Sequence, residues 1–179
     1  MKVILISAKA RHGKDLCASI LKREYEAQGK RVLITHYADY LKFICKNYFG
    51  WDGNKDETGR SILQKVGTTF RDYDENFWVD QIITVLRLFE DLRDIVILSD
   101  CRYKNEIEAM KSAFDTTVFR IERTNFDNGL TEEQKQHKSE TDLDDYKVEI
   151  VIKNDGTIDD FNKKVREVIK EVEDAGSIS

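Results

Sequence analysis

A short stretch near the amino terminus has the residue types and spacing to grip a row of phosphates. Ala8-Lys9-Ala10-Arg11-His12-Gly13-Lys14-Asp15 follows directly on the apolar run Val3–Ser7. Gly13 and Lys14 stand at the spacing of the phosphate-loop pattern GxxxxGK[ST], in its strand–turn–helix context. In such a turn the backbone N–H groups of Ala10, Arg11, His12, Gly13, Lys14, Asp15 and Leu16 point at phosphate oxygens, and the helix dipole favours the anion. Lys14 bridges the outer phosphates as a point charge. Two positions depart from the pattern. Ala8 replaces the first glycine, which is tolerated if the residue keeps a negative φ. Asp15 replaces the Ser/Thr that reaches Mg²⁺; an aspartate there either ligates Mg²⁺, directly or through water, or caps the helix N-terminus. The plain alternative is an ordinary strand–turn–helix that happens to begin with a lysine.

A second site signal is the apolar run Ile95–Leu98, closed by Ser99-Asp100. An acid at the end of a strand beside the phosphate loop holds Mg²⁺, often through water; the same acid can also serve as a helix cap. Transfer between two anions needs cations, and Arg11, Arg71, Arg102, Arg120 and Arg123 are the candidates, because a planar guanidinium binds phosphate bidentately. Arg102 and Arg123 follow strand ends and should face the site, whereas Arg120 falls inside a strand and reads as structural. His137 and Lys138 lie in a polar excursion, Asn125–Asp145, long enough to close over a nucleotide as a lid. Trp51 and Trp78 could stack a base, although a core position is the commoner use of such tryptophans.

These residues need a scaffold that brings strand ends to one edge. Strand patterns read at Val3–Ser7, Arg31–Tyr37, Ile95–Leu98, Thr117–Ile121 and Val148–Ile152. Helical periodicity reads at Lys14–Gln28, Tyr40–Phe49, Arg60–Tyr73, Trp78–Leu92, Asn105–Phe114, a short Thr131–Gln136 and a last helix from Ile158 to Val172. Alternating short apolar strands and amphipathic helices imply an α/β fold: a three-layer α/β/α sandwich on a five-stranded parallel sheet. Ligands in such sheets bind at the carboxyl ends of the strands.

Composition narrows the class. The 179 residues carry 35% charged and 40% hydrophobic residues and a formal net charge of -5, a soluble globular balance that counts against nucleic acid as partner. The apolar amino-terminal run is too short to span a membrane. Cys17, Cys45 and Cys101 are widely spaced, odd in number and without metal spacing, which fits reduced thiols in a cytoplasmic protein.

In order and spacing the chain resembles the phage-type deoxynucleoside monophosphate kinases. The resemblance rests on Ser7–Asp15 as a variant phosphate loop and on Tyr37-Ala38-Asp39-Tyr40-Leu41-Lys42 after the second strand. It continues through Gln64–Thr68 with Arg71, Phe77-Trp78-Val79, Ser99-Asp100-Cys101-Arg102-Tyr103-Lys104-Asn105-Glu106, Arg120–Arg123, His137-Lys138-Ser139-Glu140 and Ile152–Thr157. It implies one kinase domain over 1–179, with substrate-side helices over 38–93, a lid over 124–145, and ATP and Mg²⁺ as cofactors. Lys14 and the loop backbone would bind ATP phosphates. Asp15 and Asp100 would place Mg²⁺. Asp39, Lys42, Arg71, Trp78, Asp100 and Arg102 would hold a monophosphate. Arg102 and Arg123 would act on the transferring phosphoryl, and the loop with Asn154, Gly156 and Thr157 would touch the adenine. The expected setting is a bacterial or phage-infected host cytosol, with a small nucleotide as partner and a homodimer left open. Ala8, and Leu16 where the family often has threonine, are its departures. Animal-type phosphomevalonate kinases are similar in their lysine-rich loop and rank second; a non-catalytic nucleotide-binding module is the reading from another class.

Overall fold

The computed structural model describes residues 1–176; positions 177–179 lie outside the described residues. Five strands form the sheet: β1 (Lys2–Ala8), β2 (Val32–Thr35), β3 (Ile95–Cys101), β4 (Asp115–Glu122) and β5 (Ile150–Lys153). Their order is β2-β3-β1-β4-β5 and every pairing is parallel. The helices are α1 (Lys14–Ala27), α2 (Ala38–Tyr48), α3 (Glu57–Tyr73), α4 (Phe77–Arg87), α5 (Lys104–Ala113), α6 (Glu132–Gln136), α7 (Lys138–Thr141) and α8 (Ile158–Gly176).

The unbroken apolar run of β1 follows from its place. Val3, Leu5 and their neighbours on β3 and β4 pack on one face with Val79 and Leu86 of α4 and Ile107 and Met110 of α5. Ile4 and Ile6 pack on the other with Ile20 and Leu21 of α1 and Phe161, Val165 and Ile169 of α8. A strand covered on both faces has no polar face to alternate with. A third cluster, Cys45, Val66 and Trp78 with Phe70 and Phe77, holds α2, α3 and α4 together beyond the sheet edge.

Several boundaries differ from the sequence expectation, each for a local reason. The second strand stops at Thr35, because the backbone N–H groups of Tyr37 and Ala38 turn to donate to the Asp100 carboxylate at 2.8 and 3.0 Å. Helix α2 therefore starts at Ala38, ahead of Tyr40. Helix α4 ends at Arg87, short of Leu92, because Leu88 and Phe89 donate to the third residue back (Val85 and Leu86) and the last turn tightens. The fifth strand begins at Ile150, not Val148, while the fourth runs longer at both ends. Helix α7 was not expected; the His137 ring accepts from Ser139 N–H at 3.2 Å and starts it.

The three thiols are free and buried. Burial pushes Cys17 up to about 12 and raises Cys45 and Cys101 as well. The largest apolar anchor of α8 is Phe161, fully buried against the sheet. Phe161→Ala should cost about 3–5 kcal/mol of stability in denaturant unfolding; a loss under about 1 kcal/mol would mean that α8 contributes little to the core.

Candidate functional site

The carboxyl ends of β1, β3 and β4 meet in two adjoining clefts. One, of about 380 Å³, lies on the β4 side and is lined by Lys9, His12, Arg123 and Thr124 among others. The second, of about 360 Å³, lies on the β3 side between the sheet edge and α2–α3, and is lined by Lys14, Lys42, Lys55, Arg60 and Arg71 among others. Arg102, Ser139 and Glu140 line both.

The phosphate loop separates the two clefts. Ala8 ends β1 and is not among the residues of positive φ, which is the condition its replacement of glycine sets. Gly13 adopts φ 104°, and a Cβ there would stand 2.6 Å from Asn154 Nδ2, so the position needs glycine on two counts. Arg11 is the one loop residue besides Gly13 in the left-handed region, at φ 62°. The first turn of α1 has no side-chain cap at Gly13, which leaves its N–H groups open to an anion. Asn154 Nδ2 donates to His12 O at 3.0 Å and so ties the loop after β5 to the phosphate loop. In that loop Thr157 serves α8: its hydroxyl exchanges hydrogen bonds with Asp160 at 2.7 and 3.1 Å. Gly156 packs close against the same Asp160.

Lys14 Nζ lies 2.5 Å from Asp15 Oδ1, and the same carboxylate oxygen accepts from Ser99 Oγ at 3.2 Å. Burial pushes Asp15 up, but Lys14 and Ser99 outweigh it and hold the carboxyl below its usual range. Asp15 is therefore ionised at neutral pH. Asp15 and Asp100 both face the β3-side cleft. Two hard carboxylates beside a phosphate loop fit Mg²⁺, which takes few protein oxygens and draws the rest from water and substrate. The full oxygen cage is not prebuilt: among the described residues no group of three or more His, Cys, Asp or Glu could hold a metal ion. Asp100 also caps the start of α2, the helix-cap alternative among its sequence readings.

Other predicted residues fall into place unevenly. Arg71 reaches the β3-side cleft, pairs with Glu106 at 3.1 Å and stacks on the Tyr103 ring at 3.9 Å. Arg123 lines the β4-side cleft and stacks on Phe126 at 4.0 Å, and its N–H donates to His12 Nδ1 at 3.1 Å. Arg120 donates to Leu143 O at 2.6 Å and also lines the β4-side cleft. Lys42 lines the cleft, but Asp39 is absent from its walls and instead pairs with Lys42 and His36 at 2.9 and 3.0 Å. Trp78 is only 2% exposed and donates to Gly67 O at 3.1 Å, so it forms the floor of the cleft and has no open face for stacking a base. The side chains of Leu16 and Arg11 line neither cleft. His137 faces the β3-side cleft, with its pKa lowered by burial and by Arg71; Lys138 is exposed and pairs with Asp142.

Sequence reasoning gave no role to Lys55 or Arg60. The polar stretch 51–58 reads as a loop from its sequence; α3 in fact begins at Glu57, and Trp51 Nε1 donates to Asn54 O at 2.7 Å and folds the preceding residues against α3. A Cβ on Gly59 would stand 2.0 Å from Asn54 O, so only glycine admits that approach. The fold brings Lys55 over the cleft, where burial and the nearby Lys42 and Lys14 lower its pKa.

Comparison with known proteins gives the family and the fold. The model of the family described as deoxynucleotide monophosphate kinase matches residues 34–165. The chain belongs to that family. Over 107 residues it is 36% identical to the uncharacterized protein ORF77 of Ictalurid herpesvirus 1 (strain Auburn), a match covering 59% of this chain and 46% of the viral one. The chain thus spans about half the length of the curated relative it matches. Among solved structures it is similar in fold to the dephospho-CoA kinase of Campylobacter jejuni, with 15% identity and a TM-score of 0.54 over 98% of this chain and all of that one. It is also similar to the APS kinase CysC of Mycobacterium tuberculosis in complex with AMPPNP and APS, with 11% identity and a TM-score of 0.53 over 96% and 97%. The expected α/β sandwich with an all-parallel five-stranded sheet is therefore the fold of this family member. No helix among the described residues is long and apolar enough to cross a membrane.

One contact in the phosphate loop bears on anion binding. Glu140, in α7, directs its carboxylate between the clefts. Oε2 accepts from Ala10 N–H at 3.2 Å and Oε1 pairs with Arg102 Nη1 at 2.5 Å. A carboxylate thus occupies a loop N–H that a phosphate oxygen would use. Glu140→Gln removes its charge at constant shape and should tighten tripolyphosphate binding about tenfold by calorimetry; unchanged or weaker binding would show that Glu140 does not compete for the loop.

Proposed function

We propose that this protein is an ATP-dependent deoxynucleoside monophosphate kinase, moving the terminal phosphoryl group of ATP onto the phosphate of a (deoxy)nucleoside monophosphate. The observation that carries the reading is the junction of the two clefts. Lys14, Arg102 and the loop N–H groups lie between a β4-side cleft open to Arg123 and a β3-side cleft walled by Lys42, Lys55, Arg60 and Arg71. Cations on both sides of a phosphate loop suit a reaction between two anions. The family match and the AMPPNP bound to the similar APS kinase support ATP as the donor.

In this reading the donor lies on the β4 side, its phosphates on the loop and its base near Asn154–Thr157, with Arg123 at its edge. The acceptor's phosphate enters the β3-side cleft to meet Arg71 and Arg102, and Asp39 acts through the Lys42 it orients. Asp15, with Asp100 through water, would hold Mg²⁺, which neutralises charge on the outer phosphates when bound. The acceptor oxygen bonds to the terminal phosphorus as the bond to the bridging oxygen breaks, leaving ADP. Lys14 and Arg102 meet the charge that shifts during transfer. The acceptor oxygen is already anionic, so no strong base is required, and catalysis rests on positioning and electrostatics.

The test is a coupled ADP-release assay with Mg²⁺–ATP against dGMP, dTMP, dCMP, dAMP and the ribonucleotides, with phosphomevalonate as the contrasting acceptor. Release that depends on a nucleoside monophosphate is expected; release with phosphomevalonate alone would replace the substrate class. Lys14→Ala should lower turnover by about a thousandfold while the circular-dichroism melt stays unchanged. Wild-type rates in that variant would remove the phosphate-loop chemistry altogether.

A further inference from the structure

Glu106 is an acid where the fold gives acids least support. It is the third residue of α5 and is 2% exposed, yet it lines the wall of the β3-side cleft, where an anionic acceptor is expected. Its contacts are complete. Oε1 pairs with Arg71 Nη2 at 3.1 Å; Oε2 accepts from Arg102 N–H at 2.7 Å and from Tyr103 N–H at 3.1 Å. Burial pushes this carboxyl up to about 6, while Arg71 and the two N–H donors pull the other way. A buried charge is costly unless paired and hydrogen-bonded, and these contacts supply both.

Two of the cations that face the acceptor side, Arg71 and Arg102, are thereby set from one point. Arg71 is held on three sides: its Nη2 on Glu106, its Nη1 on Gly67 O at 3.2 Å, and its plane on the Tyr103 ring. Its side chain is still 19% exposed toward the cleft. Arg102 is fixed at its backbone by the same carboxylate, while its guanidinium reaches forward to Ser139 O and Glu140. A guanidinium locked in its fork geometry loses less entropy when a phosphate arrives.

We infer that Glu106 is the positioning residue of the acceptor clamp, presetting Arg71 by ion pair and Arg102 by its backbone so that both meet the acceptor's phosphate. This rests on the reading of the β3-side cleft as the monophosphate site. Both carboxylate oxygens of Glu106 are engaged by Arg71 and the two N–H groups, so it acts through Arg71.

Glu106→Gln separates this role from simple packing. The amide oxygen still accepts from the Arg102 and Tyr103 N–H groups, whereas the amide NH₂ turns a donor toward Arg71 and loses the charge. Steady-state kinetics with ATP and the deoxynucleoside monophosphate that the wild-type protein uses fastest should show the acceptor KM raised about tenfold. The KM for ATP should stay within about twofold of wild type. Arg71→Ala should raise the acceptor KM too, and adding Glu106→Gln to it should change nothing more, because residues acting as one unit are non-additive. Glu106→Asp is the second variant, keeping the charge but shortening its reach, with the same KM pattern expected. Equal rises in both KM values, additivity with Arg71→Ala, or failure of both variants to fold would each make Glu106 a structural residue and overturn the inference. Absence of turnover by the wild-type protein with every monophosphate is a different result: it removes the cleft assignment, and the inference with it.

Discussion

In a parallel sheet every strand delivers its following loop to the same edge, and the rest of this molecule depends on that delivery. β1 sits between β3 and β4 and hands the chain straight into the phosphate loop. Its register sets Leu5 against both Leu98 and Val118, so the ends of all three strands arrive together. Asp100, Arg102 and Arg123 come from different parts of the sequence yet share one rim. No helix needs to be long or unusual for this; the hydrogen-bonded register alone converts sequence distance into proximity.

Charge is the second organising quantity. The rim cations tied to carboxylates have distinct partners: Lys9 with Asp144, Lys14 with Asp15, Lys42 with Asp39, Arg71 with Glu106, Arg102 with Glu140. These acids stop the cations from repelling one another and fix where each points. Lys55 and Arg60 also line the cleft, and among the described residues neither forms an ion pair with a carboxylate. The β3-side cleft is thus prearranged in its paired arms and electropositive at its mouth, the combination that draws an anion in and then orients it.

How much of this could be read from sequence follows from the range of each signal. The strand–turn–helix around Gly13 and Lys14 is local, and it was legible with its position in the sheet. The acidic end of β3 and the strand-end arginines were legible because parallel strands share an edge. Glu106 and Glu140 were visible only as parts of a resemblance, since each acts on residues 35 and 38 positions away, at Arg71 and Arg102. Trp78 shows the reverse case: a residue type suited to base stacking that the packing of α2, α3 and α4 claimed for the core. The ends of α2 and α4 were set by a remote carboxylate and by a tightening turn, neither of which leaves a periodicity.

The burial of all three thiols carries an experimental consequence. Cys17, Cys45 and Cys101 sit in three different hydrophobic clusters, and burial holds each in its unreactive protonated form. The native chain therefore offers maleimide reagents no ready target and needs no cysteine removed before labelling. A pair of cysteines introduced at exposed Lys138 and at exposed Tyr48 would each take a dye, and energy transfer between them would follow the segment over the phosphate loop in solution.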